Sequence, residues 1–577
     1  MDNCFLSVEF CTVGACSLLH ATNQQPLATR NLVNKTCSSN IMRNLPPRFF
    51  VSLLLATTIV LTAEGLSSVP TLPNKPVSPQ SIVILGGAGR IGTAIATHLL
   101  YCEPQCQVVL VGRKKEGGED AIQEIIQDVN KLIMADGTTT TRIEEAATTS
   151  RIITKDQIVY KQINSVWDET EESLQHVIDQ YDDIVIHAAG PYLNQQPTPL
   201  KLAIQSSKCQ VYVDISDPIP YLEQSLAFND DNNDLASTTP TTALIAAGAF
   251  PGMSNVLAME AANQCTTKAT DDDDVDDATT NIQDVRFNYF TSGLGGSGVV
   301  NLYITNLGFG EDMIQYDTGT LQQFDNLSGK LLGQVNFFVP EESIQDTTLY
   351  SDKVRNDNEV AKSRVGTQTI FTWPFPEAAT VPKKLGIEGN SYAGMGTAPH
   401  IWNIMLGILV DVIPRNWWRN PKFSKFMADF SQPLVLATDK FFLQQSGNMG
   451  ETHAMRIDVT TKTKKDNGVV EEGGYSIVQA HDSFRRCVGQ SCAEFALDCW
   501  YYPDKMNGGV SVKLPEQRYG NDEDARQRII QRLTTTPGTC CYTGPVKLSS
   551  SSGSENQIPP PTDWKTVMEQ ARKELRS

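Results

Sequence analysis

Nowhere in its 577 residues does the chain hold an apolar run of the roughly 20 residues that a bilayer-spanning helix needs. The longest stretches, Phe49 to Thr62 and Ile401 to Ile413, both fall short. Positive charge is scarce as well: 47 Lys and Arg stand against 66 Asp and Glu, for a formal net charge of -19. Such a balance excludes nucleic acid as a partner, because phosphate binding needs a clustered basic surface. It also opposes broad adhesion to anionic membranes. The 13 cysteines are too scattered for a disulfide framework in a chain of this length. Cys4, Cys11, Cys16 and Cys37 lie near the N-terminus, and Cys487 and Cys492 lack the second Cys/His pair that a zinc site requires. No internal repeat is visible. The acidic run Asp271 to Asp274 with Asp276 and Asp277 has no ordered ligand spacing for a cation and reads as a solvated loop insertion.

Hydrophobic residues make up 40% of the chain and charged residues 20%, enough to build packed cores. At roughly 150 residues per domain the length allows two to four domains. Residues 1–80 read as a leader. Arg43 and Arg48 precede the apolar run, which ends in Ala63-Glu64-Gly65, the order of a secretory signal. Met42 stands directly before this signal, so translation from it is enough for targeting, and the mature chain is expected to begin beyond Thr62. Leu66 to Gln80 is rich in Ser and Pro and reads as a linker or transit-type segment. The leader points to a plastid or to the endomembrane lumen or membrane.

From Ser81 the pattern changes. Ser81 to Leu85 suits a buried parallel strand, and Gly86-Gly87-Ala88-Gly89-Arg90-Ile91-Gly92 follows it directly. Gly87, Gly89 and Gly92 form G-x-G-x-x-G, and Thr93 to Leu100 is a helix pattern. In this context the glycines allow a tight turn, close approach of a pyrophosphate and close helix packing, with the phosphates at the helix N-terminus. Gln107 to Val111 is a second strand, ending in Gly112-Arg113-Lys114-Lys115. An NAD site usually has an acid there for the ribose 2′-hydroxyl. Arg113 suits a 2′-phosphate instead, so NADP(H) is the expected cofactor. Further units follow: a helix from Glu119 to Met134, a strand at Ile158 to Tyr160, a helix from Glu171 to Tyr181, a strand from Asp183 to Ile186, a helix from Pro199 to Ser207 and a strand from Gln210 to Asp214. Alternation of this kind predicts an α/β fold with a doubly wound parallel sheet. Ala188, Ala189 and Gly190 after the fourth strand are small enough to let the cofactor lie close.

Four blocks in order, Gly86 to Gly92, Ile186 to Tyr192, Tyr212 to Ser216 and Gly248 to Asn255, resemble the saccharopine dehydrogenase-like oxidoreductases. Fainter echoes are Cys487 to Ala493 with a following helix and Gly509 to Glu516. The resemblance implies an NADP-linked reductase or dehydrogenase with a Rossmann domain over residues 81–255 and a second α+β domain over 256–545. A segment near 485–500 would pack back on the first domain, and 546–577 would form a tail. Strand patterns at Ile282 to Phe290, Asn301 to Gly308 and Met455 to Val459 suit a mixed sheet in the second domain.

Gly86, Gly87, Gly89, Arg90, Ile91, Gly92, Arg113, Ala188, Ala189 and Gly190 are the candidate cofactor residues. Tyr192 and Asp214 sit on the sheet edge where ligands bind and are the catalytic candidates, with an apolar wall and a loop anchor as their competing structural roles. The Tyr-x-x-x-Lys pattern from Tyr501 to Lys505 comes too late in the chain and contains Pro503, which rules out short-chain dehydrogenase chemistry. Gly293 to Gly298 reads as a hairpin turn or a substrate loop. Arg456, Arg485, Arg486 and Arg518 are the arginines available to a substrate carboxylate, with surface exposure as the competing reading. The expected reaction is hydride transfer to or from an amino-acid-like imine or carbonyl substrate. The alternative is an NADP-binding scaffold or sensor without turnover. Candidate partners are a small-molecule substrate, a second copy of the chain in a homodimer, and a membrane surface met at residues 401–426, where Arg415, Trp417, Trp418, Arg419 and Lys422 follow the apolar run.

Overall fold

A computed structural model describes residues 77–136, 152–168, 172–181, 183–229, 240–267, 279–295, 298–325, 327–345, 351–438, 450–464, 470–504 and 509–549. Residues 1–76, which hold most of the expected leader, lie outside the described residues, as do the acidic run and Lys505. Ser81–Leu85 (β1) is buried along its whole length, as a strand covered on both faces must be. It is followed by Arg90–Cys102 (α1), Gln107–Gly112 (β2), Lys115–Asp136 (α2), Ile158–Gln162 (β3), Glu172–Gln180 (α3), Ile184–His187 (β4), Thr198–Gln205 (α4), Val211–Asp214 (β5), Ile219–Ala227 (α5), Thr241–Leu244 (β6) and Met253–Thr267 (α6).

The remainder runs Thr279–Ser292 (β7), Val299–Gly308 (α7), Met313–Asp317 (β8), Thr320–Phe324 (β9), Leu331–Asn336 (β10), Asp352–Arg364 (α8), Thr367–Thr372 (β11), Glu377–Leu385 (α9), Ser391–Ala398 (β12), Ile401–Val412 (α10), Arg415–Trp418 (α11) and Pro421–Thr438 (α12). Then come His453–Lys464 (β13), Val470–His481 (β14), Phe484–Tyr501 (α13), Val510–Lys513 (β15), Pro515–Tyr519 (α14), Glu523–Thr534 (α15), Thr539–Tyr542 (β16) and Val546–Leu548 (β17). Asn301 to Gly308, expected as a strand, is the helix α7. Its β-favouring side chains are overridden by packing, since Leu302 joins a core shared with Trp402 and Val435 and Asn306 donates to the Ser424 carbonyl at 3.0 Å. The block Cys487 to Ala493 lies inside α13 and not ahead of a helix. Ordered chain continues past residue 545, where β17 pairs with Gly474 to Ser476 of β14.

Seven strands form one sheet in the order β15-β6-β5-β4-β1-β2-β3, and every pair in it is parallel. Its first six strands have the doubly wound order of a Rossmann fold. The seventh, β15, arrives from the far C-terminal part of the chain. An eight-stranded mixed sheet runs β10-β11-β12-β7-β13-β14-β16, with β17 beside β14. One face of it, through Val285, Phe287, Tyr289, Met455 and Ile457, shares a core with α1, α2, α6 and α13, which also covers Ile82 and Ile84 of the parallel sheet. Side chains alternate across a strand, so Phe290 and Ala454 turn to a separate core with Phe337, Val339 and Ala361. The molecule is therefore α/β: a Rossmann-type parallel sheet joined through helices to a second, mixed sheet.

Candidate functional site

The chain leaves β1 toward β2 and reaches β4, the other neighbour of β1, only after β3. A crevice at the C-terminal ends of β1 and β4 is the consequence, and it is where open α/β sheets hold ligands. Gly86 and Ala189 close its floor. Gly86 has φ +79°, and a Cβ on it would stand 2.8 Å from the Ala189 Cα. A Cβ on Gly92 would lie 2.3 Å from the Gly86 carbonyl oxygen, so only glycine lets α1 start flush against the loop.

Gly89 is the N-cap of α1, with no side-chain cap and no acid in the first turn. The Thr93 N–H donates to the Gly89 carbonyl at 2.8 Å. The N–H groups of Arg90, Ile91 and Gly92, ahead of it, have no acceptor within the helix. They and the helix dipole make an anion site. Beyond it, Ala188 is tied to β1 by its N–H on the Leu85 carbonyl at 2.8 Å. Arg113 follows β2 with its side chain exposed. Its carbonyl accepts from Gln162 at 3.0 Å, and the Lys114 carbonyl accepts from the Tyr160 hydroxyl at 2.7 Å. The turn is thus held by β3 while its cations reach solvent.

Tyr192 and Asp214 are both buried and internally bonded. The Tyr192 hydroxyl donates to the His187 carbonyl at 2.6 Å, and its ring packs on Trp167, His187 and Tyr221. Asp214 Oδ1 accepts from the Ser216 and Ala246 N–H groups, both at 3.1 Å, and Oδ2 accepts from the Tyr212 hydroxyl at 3.2 Å. Burial raises the Asp214 carboxyl to about 6 against these bonds. His187 Nδ1 lies 3.2 Å from the same Tyr212 hydroxyl, and burial lowers its ring to about 3.

The side chains gathered beside the crevice come from elsewhere. Arg485 links the turn at Gly293 to Gly295 with α1: its N–H donates to the Gly295 carbonyl at 3.0 Å and its guanidinium lies 3.5 Å from Thr93 Oγ1. Gly298 lies against the Arg90 side chain. Next to Arg485, Phe484 packs on Phe250 at 5.3 Å, and Phe250 stacks on Tyr289 at 4.3 Å and on His453 at 4.9 Å. Phe375 closes the group edge-on, 5.2 Å from Phe250. Tyr289 donates its hydroxyl to Glu377, which is fully buried and whose other oxygen has no partner among the described residues. Burial pushes the Glu377 carboxyl up to about 8, with Glu516 and Asp217 adding repulsion. The His453 ring is lowered to about 3 by burial; its Nδ1 lies 2.9 Å from the Phe290 carbonyl and its Nε2 has no partner among the described residues.

Tyr289, Glu377, His453 and Phe484 were not named as site residues from sequence, and Phe250 entered only within the block Gly248 to Asn255. The available signal was the run Trp373-Pro374-Phe375-Pro376-Glu377, an acid set directly behind an aromatic-proline segment. The four candidate arginines are all engaged with acids: Arg456 with Asp458 at 2.8 Å, Arg518 with Asp504 at 2.8 Å, Arg485 with Glu124 at 2.6 Å and Arg486 with Asp482. Arg456 and Arg518 are buried in these pairs and are not surface arginines.

No family model matches the chain, and no curated relative does. Among solved structures, an apo saccharopine dehydrogenase (L-Glu forming) from Saccharomyces cerevisiae is similar at 10% identity, covering 82% of this chain and 100% of that one, with a TM-score of 0.46. A "meso-dapdh" mutant with DAP from Clostridium tetani matches at 10% identity over 75% of this chain and 93% of its own, with a TM-score of 0.30. Glucose-6-phosphate 1-dehydrogenase from Mycobacterium avium matches at 9% identity over 76% and 94%, with a TM-score of 0.25. At these values the likenesses carry no functional assignment, and the fold stands on the strand order above.

Proposed function

We propose that the chain is an NADP(H)-dependent oxidoreductase acting on a carbonyl or imine of an amino-acid-like substrate. The observation that carries this reading is the open N-terminus of α1, set by the glycine loop at the β1/β4 crevice with Arg113 at the end of β2. The first-turn N–H groups of α1 point at the crevice and suit a pyrophosphate, and a Cβ on Gly86 or Gly92 would fill the cradle. Arg113 would hold the 2′-phosphate, and Ala188, Ala189 and Gly190 leave room along β4 for the rest of the cofactor. When bound, the cofactor would supply or accept a hydride.

The chain's own part is to exclude water, orient the substrate and hold a proton. Phe250, Phe375 and Phe484 provide the dry wall. The Tyr289–Glu377 pair holds the proton, since a carboxyl raised to about 8 stays protonated at neutral pH. Tyr192 and Asp214 serve as wall and loop anchor, because their polar atoms are already committed to the backbone and to neighbouring hydroxyls.

Titration of the protein and of Arg113→Ala with NADPH and NADH tests the cofactor assignment. Loss of the 2′-phosphate contact should weaken NADPH by roughly 1–3 kcal/mol, the scale of a charge-assisted hydrogen bond, and leave NADH nearly unchanged. Equal affinity of the parent protein for both would overturn it. A screen of imines, keto acids and enoyl compounds, followed by NADPH absorbance, tests turnover. NADPH binding without turnover of any of them would replace the enzyme with a scaffold.

A further inference from the structure

His98 and Cys102 lie one turn apart on α1, so their side chains share a face of the helix. Glu494 reaches the same spot from α13. Its Oε1 is 2.8 Å from His98 Nε2 and 3.7 Å from Cys102 Sγ, and Sγ lies 3.5 Å from Nε2. His98 and Glu494 are buried and Cys102 is half-buried, so the three atoms form a triangle with one corner near the surface. The layout is not that of an activated thiol. A base that activates a nucleophile meets it with one ring nitrogen and meets its orienting acid with the other. Here thiol and carboxylate both converge on Nε2, and Nδ1 has no partner among the described residues.

An imidazole nitrogen, a thiol sulfur and a carboxylate oxygen facing one point are a donor set for zinc. In a tetrahedral site with bonds of about 2.0 Å to N and O and about 2.3 Å to S, the N–O edge is about 3.3 Å and the edges to sulfur are about 3.6 Å. Both sulfur distances already match. The Nε2–Oε1 distance is that of a hydrogen bond and opens by about half an ångström to admit an ion. We propose that His98, Cys102 and Glu494 bind Zn²⁺, with water in the fourth position on the Cys102 side. The second oxygen of Glu494 accepts from Arg532 Nε at 2.6 Å, which holds the carboxylate with Oε1 toward α1, as partners behind a metal ligand do. Zinc displaces the thiol proton, and ion, thiolate and carboxylate together are neutral. His98 stands eight residues after Arg90, roughly 12 Å along α1. The ion therefore lies outside the cofactor crevice, where it clamps the C-terminal end of α1 on α13 and takes no part in hydride transfer.

Zinc content of the full chain after loading with Zn²⁺ and gel filtration tests the proposal, with Cys102→Ser and Glu494→Gln as comparisons. Cys102 is half-buried, and Glu494→Gln keeps an oxygen for Arg532, so both variants should fold. The parent should retain one more zinc per chain than either variant, and each variant should bind the ion at least roughly tenfold more weakly. Zinc should raise the melting temperature of the parent and leave that of Cys102→Ser unmoved. Cobalt in place of zinc should give a thiolate-to-cobalt charge-transfer band that is lost in Cys102→Ser. Equal zinc in the parent and Cys102→Ser would place the metal on other cysteines and overturn the proposal. So would a parent that retains none, or a cobalt band that survives in Cys102→Ser.

Discussion

Burial with one unpartnered oxygen among the described residues holds the Glu377 carboxyl in its neutral form, and the consequence can be measured. Burial raises it from 4.5 to about 8. The unfolded chain gives up this proton near 4.5 and the folded chain only near 8. Folding is therefore weakened by this group as pH rises between those values, and its contribution is constant outside them. Glu377→Gln should remove that slope and raise stability at pH 8 by roughly 1–3 kcal/mol. Urea melts of both proteins at pH 5 and pH 8 measure it, and an identical pH dependence in the two would show that Glu377 is ionised in the fold. The glycine loop was legible in the sequence because its chemistry is contiguous from Gly86 to Gly92. The Tyr289–Glu377 pair was not, because 88 residues separate its partners and only the β7–β12 register with α9 brings them together.

At the scale of elements, the close contact of α1 with α13 depends on one missing side chain. A Cβ on Gly489 would stand 2.6 Å from the Ala94 Cβ and 2.9 Å from the Ile95 nitrogen, both on α1. Backbone on that side cannot yield cheaply, so Gly489→Ala should lower stability by roughly 1–3 kcal/mol through overpacking. Gly117 on α2 has nothing within 4 Å of such a Cβ. Gly117→Ala should stabilise by roughly 0.5–1 kcal/mol, the ordinary helix gain. Thermal melting of the two variants checks both, and a Gly489→Ala protein as stable as the parent would mean that the helices are free to separate. His98 of α1 and Arg532 of α15 both reach Glu494 of α13, at 2.8 Å and 2.6 Å, and tie α15 to the α1–α13 pair. Periodicity identified α1 from sequence, and its partner helix only as a weak echo. An α-helical period reports which face is apolar and carries no record of which helix will cover it.

Across the whole molecule the parallel sheet is completed late. β15 pairs with β6 from Val510↔Thr241 to Lys513↔Leu244, and Val512 and Leu514 fill the core between sheet and helices. Asn229 exchanges hydrogen bonds of 2.9 Å and 2.8 Å with the Val512 backbone, so the edge is tied down on both sides. A chain ending at Asp504 should therefore lose cooperative folding, with an apolar sheet edge left open. Soluble yield and far-UV thermal melts measure this, and a truncated protein that melts cooperatively would show that the first six strands fold alone. Local order determined what was readable beforehand: the β/α alternation from Ser81 to Asp214, the glycine loop, and the basic Arg113 after the second strand all lie within short windows. Tertiary structure alone decided that α7 is a helix, that β15 returns to β6, that Phe250, Tyr289, Glu377 and His453 converge, and that Ile408 of α10 and Phe430 of α12 face solvent. Each of these depends on contacts between residues far apart in the chain, and a local pattern of apolar residues is the same whether a neighbour covers it or water does.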